Sequence, residues 1–308
     1  MSITNLKVIY ITMGVCNVIN TLHDSAINII GVVESKQRNV NKQNEELKNF
    51  CLEKGLPYYF MNEGCNDCLE NWVKELEPDL IVIYGMSELL KGNILNIPKK
   101  GCINLHLSLL PKYRGSHPIF WTFYNYDLNP GATVHFIDEG EDTGSIIYQE
   151  SYELPIGSTE EELVFLSSGI GVKLLIKSII DIENNCAPNI KQPFKSPTVR
   201  ARQIQPDEYK EIINWKEWEI ERIWHLLRGT QNWFNVFDFS EIQGNVSKWR
   251  ILNYVKQDVK YWLKLGKVYK RGNLFFVLCG LGYIYMEISM EVESLFLSLD
   301  LLKNIFVY

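Results

Sequence analysis

The sequence predicts an open α/β domain followed by a smaller, mainly antiparallel β domain. Three observations lead to this prediction. Short apolar runs alternate with helical segments over roughly the first 180 residues, a proline-bearing stretch without periodicity follows, and short strand-like runs separated by glycines fill the remainder. Alternating strands and helices favour a parallel sheet that is covered on both faces. A chain of 308 residues suits two domains of this kind.

The first domain is predicted from its apolar runs and the signals that end them. Gly55 supplies a helix stop, and helical spacing of apolar residues precedes it. The segment between the first two strands is long enough for one crossover helix. The predicted strands are Leu6–Ile11, Ile27–Val33, Leu80–Tyr84, Gly101–Asn104 and a strand that begins at Gly131, and the predicted helices are Gln43–Gly55 and Asp67–Leu76.

A long helix and a linker are predicted to close the first domain. Ser158 or Thr159 is followed three residues later by an acidic residue, which is a capping-box pattern, and the helix is expected to run to about Asp181. Residues 184–205 contain three prolines and no period, so we predict a linker there. The domain bounds are therefore placed at 1–203 and 206–308.

Short runs of the strand type dominate the second domain. One helix, Glu217–Leu227, precedes them. Glycines punctuate the runs, and this pattern favours a small antiparallel barrel over a continuation of the first sheet. The predicted strands are Trp249–Val255, Gly266–Tyr269, Leu274–Cys279 and Tyr283–Ser289.

The composition and the odd number of cysteines predict a cytoplasmic protein with reduced thiols. The formal net charge is −6, which does not favour a dedicated nucleic-acid binder. We expect no secretory signal and no membrane span, because no run of about 18 uncharged apolar residues is present. The Cys65-x-x-Cys68 pair lacks two further ligands at a useful spacing, so no zinc site is expected.

The stretch from Asn104 to Gly115 contains the first candidate catalytic groups. Side chains alternate along a strand, so Asn104 and His106 are expected on one face. An amide can donate to a developing oxyanion, and an imidazole can transfer protons near neutral pH. An acidic, glycine-punctuated loop follows a strand at 138–144, where a carboxylate could orient the imidazole. Each pattern alone is also common in structural roles.

Together the two stretches resemble the formyltransferases that use 10-formyltetrahydrofolate, namely the glycinamide ribonucleotide, methionyl-tRNA and sugar N-formyltransferases. That family carries N-x-H-x-S-L-L-P-x-Y-R-G and, some thirty residues later, D-x-G-x-D-T-G, and residues 104–115 and 138–144 match both. The resemblance covers about residues 4–182. It implies a Rossmann-like catalytic domain, an OB-like second domain, 10-formyltetrahydrofolate as co-substrate and no metal.

The resemblance also implies roles for individual residues. Asn104, His106 and Asp142 would be the catalytic trio, which stabilises the oxyanion of the tetrahedral intermediate. The resemblance places the pterin ring between the loop after the Leu80–Tyr84 strand and the loop that contains Asp142. The cofactor-contacting residues would be Met86, Glu88, Leu89, Leu90, Asp138, Glu139, Gly140 and Asp142, and the substrate-binding residues would be Ser108, Tyr113, Arg114 and His117.

The second domain guides the choice of amine. Glycinamide ribonucleotide enzymes of this kind lack such a domain, whereas methionyl-tRNA and sugar enzymes carry one. From Pro206 onward we count 13 Lys and Arg against 13 Asp and Glu, a neutral balance where RNA would favour a basic one. We therefore expect a UDP- or dTDP-linked 4-amino-deoxysugar as acceptor, for cell-surface glycan synthesis. Methionyl-tRNA is the alternative, and a folate- or nucleotide-binding protein that kept only the fold is the non-enzyme alternative. The sequence leaves monomer and homodimer open.

Overall fold

The computed structural model describes residues 4–35, 44–61, 66–86, 89–231, 233–242, 244, 246–257, 263–272 and 274–290. The chain divides into two compact units, Met1–Ile204 and Gln205–Tyr308. Cys68 is disulfide-bonded, which corrects the expectation of reduced thiols at that position. Cys65 lies outside the described residues. Within the described ranges no group of three or more His, Cys, Asp or Glu side chains is placed to hold a metal ion.

A seven-stranded, mostly parallel sheet forms the first unit. Its strands are β1 Val8–Thr12, β2 Ile29–Glu34, β3 Tyr58–Phe60, β4 Leu80–Tyr84, β5 Cys102–His106, β6 Gly131–Phe136 and β7 Ile146–Ser151. Their order across the sheet is β3-β2-β1-β4-β5-β6-β7. The first five strands in that order are parallel, whereas β6 pairs antiparallel with β5 and β7 pairs antiparallel with β6. The predicted mostly parallel α/β sheet is confirmed.

Six helices lie within the described residues of this unit, and local capping explains where two of them begin. The side chain of Asn44 accepts a hydrogen bond from the Leu47 amide, and Thr159 and Glu162 form a complete capping box. Gly55 ends the second helix in the left-handed conformation, as its position in the sequence predicts. The helices are α1 Asn17–Asp24, α2 Glu45–Lys54, α3 Asn66–Leu76, α4 Gly92–Leu95, α5 Pro118–Tyr124 and α6 Glu160–Glu183.

The sheet is buried on both faces, and β1 shows how. Val8 and Tyr10 belong to the core on one face, whereas Ile9 and Ile11 belong to the core on the other. Within the described ranges, α6 is the one helix that is long and apolar enough to cross a membrane by length and composition. Its residues Leu175 and Ile179 are fully buried in the first of these cores, so α6 is a core helix of this unit.

The second unit contains an antiparallel sheet, as predicted. A 3₁₀ turn at Pro206–Glu208 and helix α7 (Ile220–Gly229) precede four strands, β8 Val246–Lys256, β9 Val268–Arg271, β10 Leu274–Cys279 and β11 Gly282–Met290. Their order is β8-β11-β10-β9, with every pairing antiparallel. The described strands form an open order, so closure into an OB-like barrel stays a prediction.

Four elements of the first unit escaped sequence prediction. Strand β3 has three residues and α4 has four, so neither is long enough to show a period. Helix α5 begins with Pro118 and has no polar side-chain cap. Strand β7 is buried only at its start, at Ile146 and Ile147, and its remaining residues are polar or partly exposed.

Candidate active site

A cavity of about 680 Å³ opens at the carboxyl ends of β1, β4 and β5. The chain order of the strands reverses between β1 and β4, and ligands of open α/β sheets bind at such a point. Both motif stretches of the sequence contribute to the wall, through residues 104–107 and 140–142. Apolar side chains that line the cavity are Val15, Met86, Leu90, Ile119 and Ile137, and polar ones are Asn104, His106, His135 and Asp142.

Strand β5 presents Asn104 and His106 to this cavity. They are two residues apart on a regular strand, so their side chains lie on the same face, as predicted. His106 is only 6% exposed. On the neighbouring antiparallel strand β6, His135 is the register partner of Asn104 and Thr133 is the partner of His106. Three side chains of these two strands, Asn104, His106 and His135, therefore line one end of the cavity.

The loop after β6 carries Asp142 into the site through a tight, strained turn. Asp142 itself has a φ of 54°, in the left-handed region that few side chains adopt without cost. Only glycine fits at position 144, because the backbone of Phe136 lies so near that a Cβ would be 1.9 Å from its carbonyl oxygen. The Asp138 carboxylate accepts from the Gly140 amide at 3.0 Å and from the Thr143 hydroxyl at 2.6 Å. These contacts fix the loop.

Asp142 is the point where three groups of the site meet. Its Oδ2 atom accepts from the backbone N–H of Gly115 at 2.9 Å and lies 3.6 Å from Nδ1 of His106. Its Oδ1 atom lies 3.5 Å from Nε2 of His135. Burial alone would raise the pKa of Asp142, but the contact with His106 and the Gly115 N–H lower it, and that pKa is held well below its usual range. The carboxylate is therefore ionised.

The ring of His106 is fixed at both nitrogens. Its Nε2 atom lies 3.0 Å from the carbonyl oxygen of Tyr113, which can only accept, so Nε2 carries a proton and donates. Its Nδ1 atom faces the carboxylate of Asp142. Tyr113 has a φ of 57°, and this turn is what directs its carbonyl toward the ring. The predicted His106–Asp142 contact is present as an ion-pair distance, somewhat longer than a hydrogen bond.

His135 belongs to the same cluster, although no motif in the sequence predicts a role for it. It is 2% exposed, and its Nε2 atom lies 3.2 Å from the amide nitrogen of Asn104. Its ring stands edge-on to His106 with centroids 6.4 Å apart. The signal that could have found it is cross-strand pairing with Asn104, which requires β6 to be antiparallel and in this register.

The structure brings most of the predicted cofactor contacts to the cavity. Met86, Leu89, Leu90, Gly140 and Asp142 line it. Asp138 is absent from the wall because its carboxylate is used in the turn, and Glu139 lies beside Gly92 at the start of α4. Glu88 lies outside the described residues. The contacts of these residues with a cofactor remain predictions.

Three of the predicted substrate-binding side chains are buried and have partners within the protein. Ser108 donates to the carbonyl of Lys112, Tyr113 donates to Asp127, and Arg114 donates to Gln192 and to the carbonyls of Pro193 and Phe194. The geometry therefore favours a role in shaping the loop after β5 over contact with a substrate. His117 lies 2.8 Å from the Ser116 hydroxyl and is partly exposed, so its substrate contact stays a prediction.

Gln192, in the predicted linker, is a second residue that the sequence did not single out. Its amide nitrogen donates to the carbonyls of Asp142 and Gly144 at 3.0 and 2.6 Å, while its oxygen accepts from Arg114. The segment has no secondary-structure period, yet it ties the catalytic loop to the loop after β5. No motif in the sequence signals such a tie.

The sequence of the chain is similar to a known family and to curated proteins of that family. A family model described as "Formyl transferase" matches residues 9–178. The methionyl-tRNA formyltransferase of Thermodesulfovibrio yellowstonii is 35% identical over 204 residues, which are 66% of this chain and 65% of the relative. That of Alkaliphilus oremlandii is 35% identical over 226 residues, 72% of each chain. The match thus spans about two thirds of the length of these relatives.

Solved structures share the fold at lower identity. An N-formyltransferase from Helicobacter canadensis, in complex with folinic acid and dTDP-3-aminofucose, has a TM-score of 0.64 at 21% identity and covers 92% of this chain and 100% of its own. The sugar 3N-formyltransferase WlaRD has a TM-score of 0.62 at 20% identity, with 92% and 98% covered. These likenesses confirm the fold.

The comparisons confirm one part of the functional prediction and overturn another. A formyl-transferring enzyme with 10-formyltetrahydrofolate as co-substrate is confirmed. The nucleotide-linked amino sugar and the link to cell-surface glycans are wrong, because the curated relatives, 30–37% identical, are named methionyl-tRNA formyltransferase. The neutral balance of the second domain misled because total charge does not report where charges lie, and phosphate contacts depend on their local placement.

Proposed function

Because the chain belongs to the formyl transferase family, we propose that it moves the formyl group of 10-formyltetrahydrofolate to the amino group of methionyl-tRNA. The observation that carries the proposal is the set of curated relatives, which share this name at 30–37% identity over 52–75% of the chain. We further propose a cytoplasmic location, where an aminoacyl-tRNA and a reduced folate are both available.

The cavity fits a reduced folate in size and in chemistry. Its volume of about 680 Å³ lies within the range of sites for small organic ligands. Met86, Leu90 and Ile137 supply apolar wall for a flat ring, while Asn104, His106 and Asp142 supply polar groups at one end. Bound there, the co-substrate would supply an activated formyl group beside those polar side chains.

Asn104 and His106 would stabilise the negative charge that develops on the formyl oxygen when the amine attacks. Asn104 offers an amide N–H, and a single donor of this type is worth about 3–4 kcal/mol in comparable sites. Both nitrogens of His106 already face protein groups. His106 would therefore act mainly through the charge of its imidazolium, and its hydrogen bonds would tighten or exchange when substrate is bound.

Asp142 would orient the site and balance its charge. Its carboxylate faces His106, accepts from Gly115 and is ionised. Because the pKa of Asp142 is held well below its usual range, the carboxylate is a weak base. The structure thus favours an orienting and electrostatic role for Asp142 over a role as the base that takes the proton of the amine.

The segment 184–205 supplies the positive charge that a tRNA acceptor needs. It contains Lys191, Lys195, Arg200 and Arg202 and no Asp or Glu. All four basic residues are exposed, and Arg200 also lines the cavity and pairs with Glu141. Basic side chains beside a catalytic cleft position a nucleic acid through its phosphates without reading its sequence. The charge count that argued against RNA began at Pro206 and left this segment out.

The test compares acceptors and then asks whether phosphate contacts matter. Methionyl-tRNA should be formylated with 10-formyltetrahydrofolate as donor, whereas uncharged tRNA and nucleotide-linked amino sugars should not. The double variant Lys191→Ala/Lys195→Ala should raise the KM for methionyl-tRNA about tenfold, leave the KM for the folate unchanged, and reduce the dependence of binding on salt. Lys173→Ala, which removes an exposed lysine of α6, is the matched control.

Two results would overturn the proposal. One is formylation of an amino sugar with no formylation of methionyl-tRNA. The other is a KM for methionyl-tRNA that does not change with salt concentration, since a tRNA acceptor must displace counterions when it binds.

A further inference from the structure

We propose that His135 is a positioning residue of the reaction: in its neutral form it accepts one N–H of the Asn104 amide and aims the other at the formyl oxygen. The two side chains are direct cross-strand partners of β5 and β6, with 3.2 Å between Nδ2 of Asn104 and Nε2 of His135. The inference rests on formyl transfer at this site, but it holds for any amine acceptor.

The other nitrogen of His135, Nδ1, carries the proton of the neutral ring. Its Nδ1 atom lies 2.7 Å from the carbonyl oxygen of Phe136. A carbonyl oxygen only accepts hydrogen bonds, so Nδ1 must donate. In a neutral ring this leaves Nε2 with a lone pair, which can accept from an amide N–H. An asparagine amide presents two such N–H groups, and one of them meets this lone pair.

Only one histidine of the pair His106 and His135 can be charged. The rings of His106 and His135 have centroids 6.4 Å apart, and both are buried. Two imidazolium ions at that distance would repel each other, and the single carboxylate of Asp142 balances only one of them. Only one of the two rings can therefore carry the additional proton that makes it an imidazolium.

His106 is the better site for that proton. Its Nε2 atom already donates to Tyr113, so a neutral His106 would turn the lone pair of Nδ1 toward the carboxylate of Asp142. His135, by contrast, has the Asn104 amide as a donor to its lone pair, at a shorter distance than its 3.5 Å approach to Asp142. The stable arrangement is an imidazolium at His106, a neutral ring at His135 and a fixed amide at Asn104.

The fixed orientation of the Asn104 amide is what allows it to stabilise the oxyanion. An unrestrained asparagine rotates about its χ2 angle and can turn either its oxygen or its nitrogen to a ligand. Only the nitrogen stabilises an oxyanion. His135 selects that orientation before substrate arrives, which is the pre-organisation on which oxyanion stabilisation depends.

A kinetic test separates this role from a structural one. His135→Phe keeps an aromatic ring and removes the acceptor, so kcat should fall 10- to 100-fold while the KM for both substrates stays within threefold. His135→Gln keeps an acceptor near the position of Nε2 and should restore kcat to within about fivefold of the parent. His23→Phe, on α1 and outside the cavity, is the matched control and should leave kcat unchanged.

A double-mutant cycle adds the decisive comparison. If His135 acts through Asn104, then His135→Phe should cost little further activity in the Asn104→Ala background. Additive losses, or equal losses in His135→Phe and His135→Gln, would overturn the proposal.

A measurement on the unmodified protein does not depend on knowing the acceptor. Nitrogen-15 NMR of the histidine rings should show His135 with Nδ1 protonated and Nε2 bare, and His106 with both nitrogens protonated. The chain has five histidines, so single substitutions can assign the signals. A protonated Nε2 on His135 would overturn the inference. If no amine is formylated while the NMR pattern is as expected, the proposed function fails and the assignment of the ring protons stands.

Discussion

Replacement of Asp142 by Asn should nearly abolish turnover without disturbing folate binding. The amide is nearly the same size as the carboxylate and can still accept from the Gly115 N–H, which lies 2.9 Å from Oδ2 in the parent. What the variant loses is the charge that faces His106 at 3.6 Å. At an effective dielectric constant of about 20, two unit charges near 4 Å interact by roughly 4 kcal/mol. That energy corresponds to a fall in kcat of about 10³, roughly tenfold less than the loss of about 10⁴ seen when a catalytic triad loses the charge of its aspartate.

The assay measures kcat by release of tetrahydrofolate and folate affinity by fluorescence titration. The dissociation constant of the folate should stay within threefold, because the apolar wall formed by Met86, Leu90 and Ile137 is intact. Glu150→Gln, which removes an exposed carboxylate of β7, is the control. Turnover within threefold of the parent, in a folded Asp142→Asn variant, would refute the electrostatic role.

Three further outcomes follow from the loop that carries Asp142. Gly144→Ala should destabilise the first unit by about 3 kcal/mol, because the added Cβ would lie 1.9 Å from the Phe136 carbonyl, and calorimetry should show a melting temperature roughly 6–12 °C lower. Gln192→Leu should lower kcat about tenfold through loss of its bonds to the carbonyls of Asp142 and Gly144, whereas Gln203→Leu in the same segment should not; steady-state kinetics decides. The pKa of Asp142 is lowered by folding, so its ionised form contributes stability that is present above its unfolded pKa near 4 and is lost as pH falls below that value. Between pH 6 and 3, the free energy of unfolding measured with denaturant should therefore fall more steeply in the parent than in Asp142→Asn.

The sequence predicted the strands and helices that are determined by residues close together in the chain. Strand β4 was predicted with its observed bounds, Leu80–Tyr84, because an uninterrupted apolar run is what a strand buried on both faces requires. The capping box of α6 fixed its start within the span of Ser158 and Thr159. Elements such as β3 were missed because three residues cannot express a period.

In the active site, too, residues within a motif were predicted, whereas residues that depend on contacts distant in sequence were not. Asn104, His106 and Asp142 were predicted by motif, and the structure gathers them at one end of a cavity. His135 was passed over because its role depends on the register between β5 and β6, and register is not written in either strand alone. The internal partner of Arg114 was missed for a related reason: Gln192 lies 78 residues away in a segment without a pattern. The contact of Arg114 with a substrate stays a prediction.

The tie made by Gln192 also has a practical bearing on where this protein can be cut. Helix α6 ends at Glu183, and a fragment that stops there would contain every strand of the first sheet and all three motif residues. Such a fragment would lack the side chain that holds the carbonyls of Asp142 and Gly144, and it would leave the guanidinium of Arg114 without acceptors. The smallest piece worth expressing therefore extends to Ile204, twenty-one residues past the last helix of the unit, because the scaffold of the catalytic loop is completed only there.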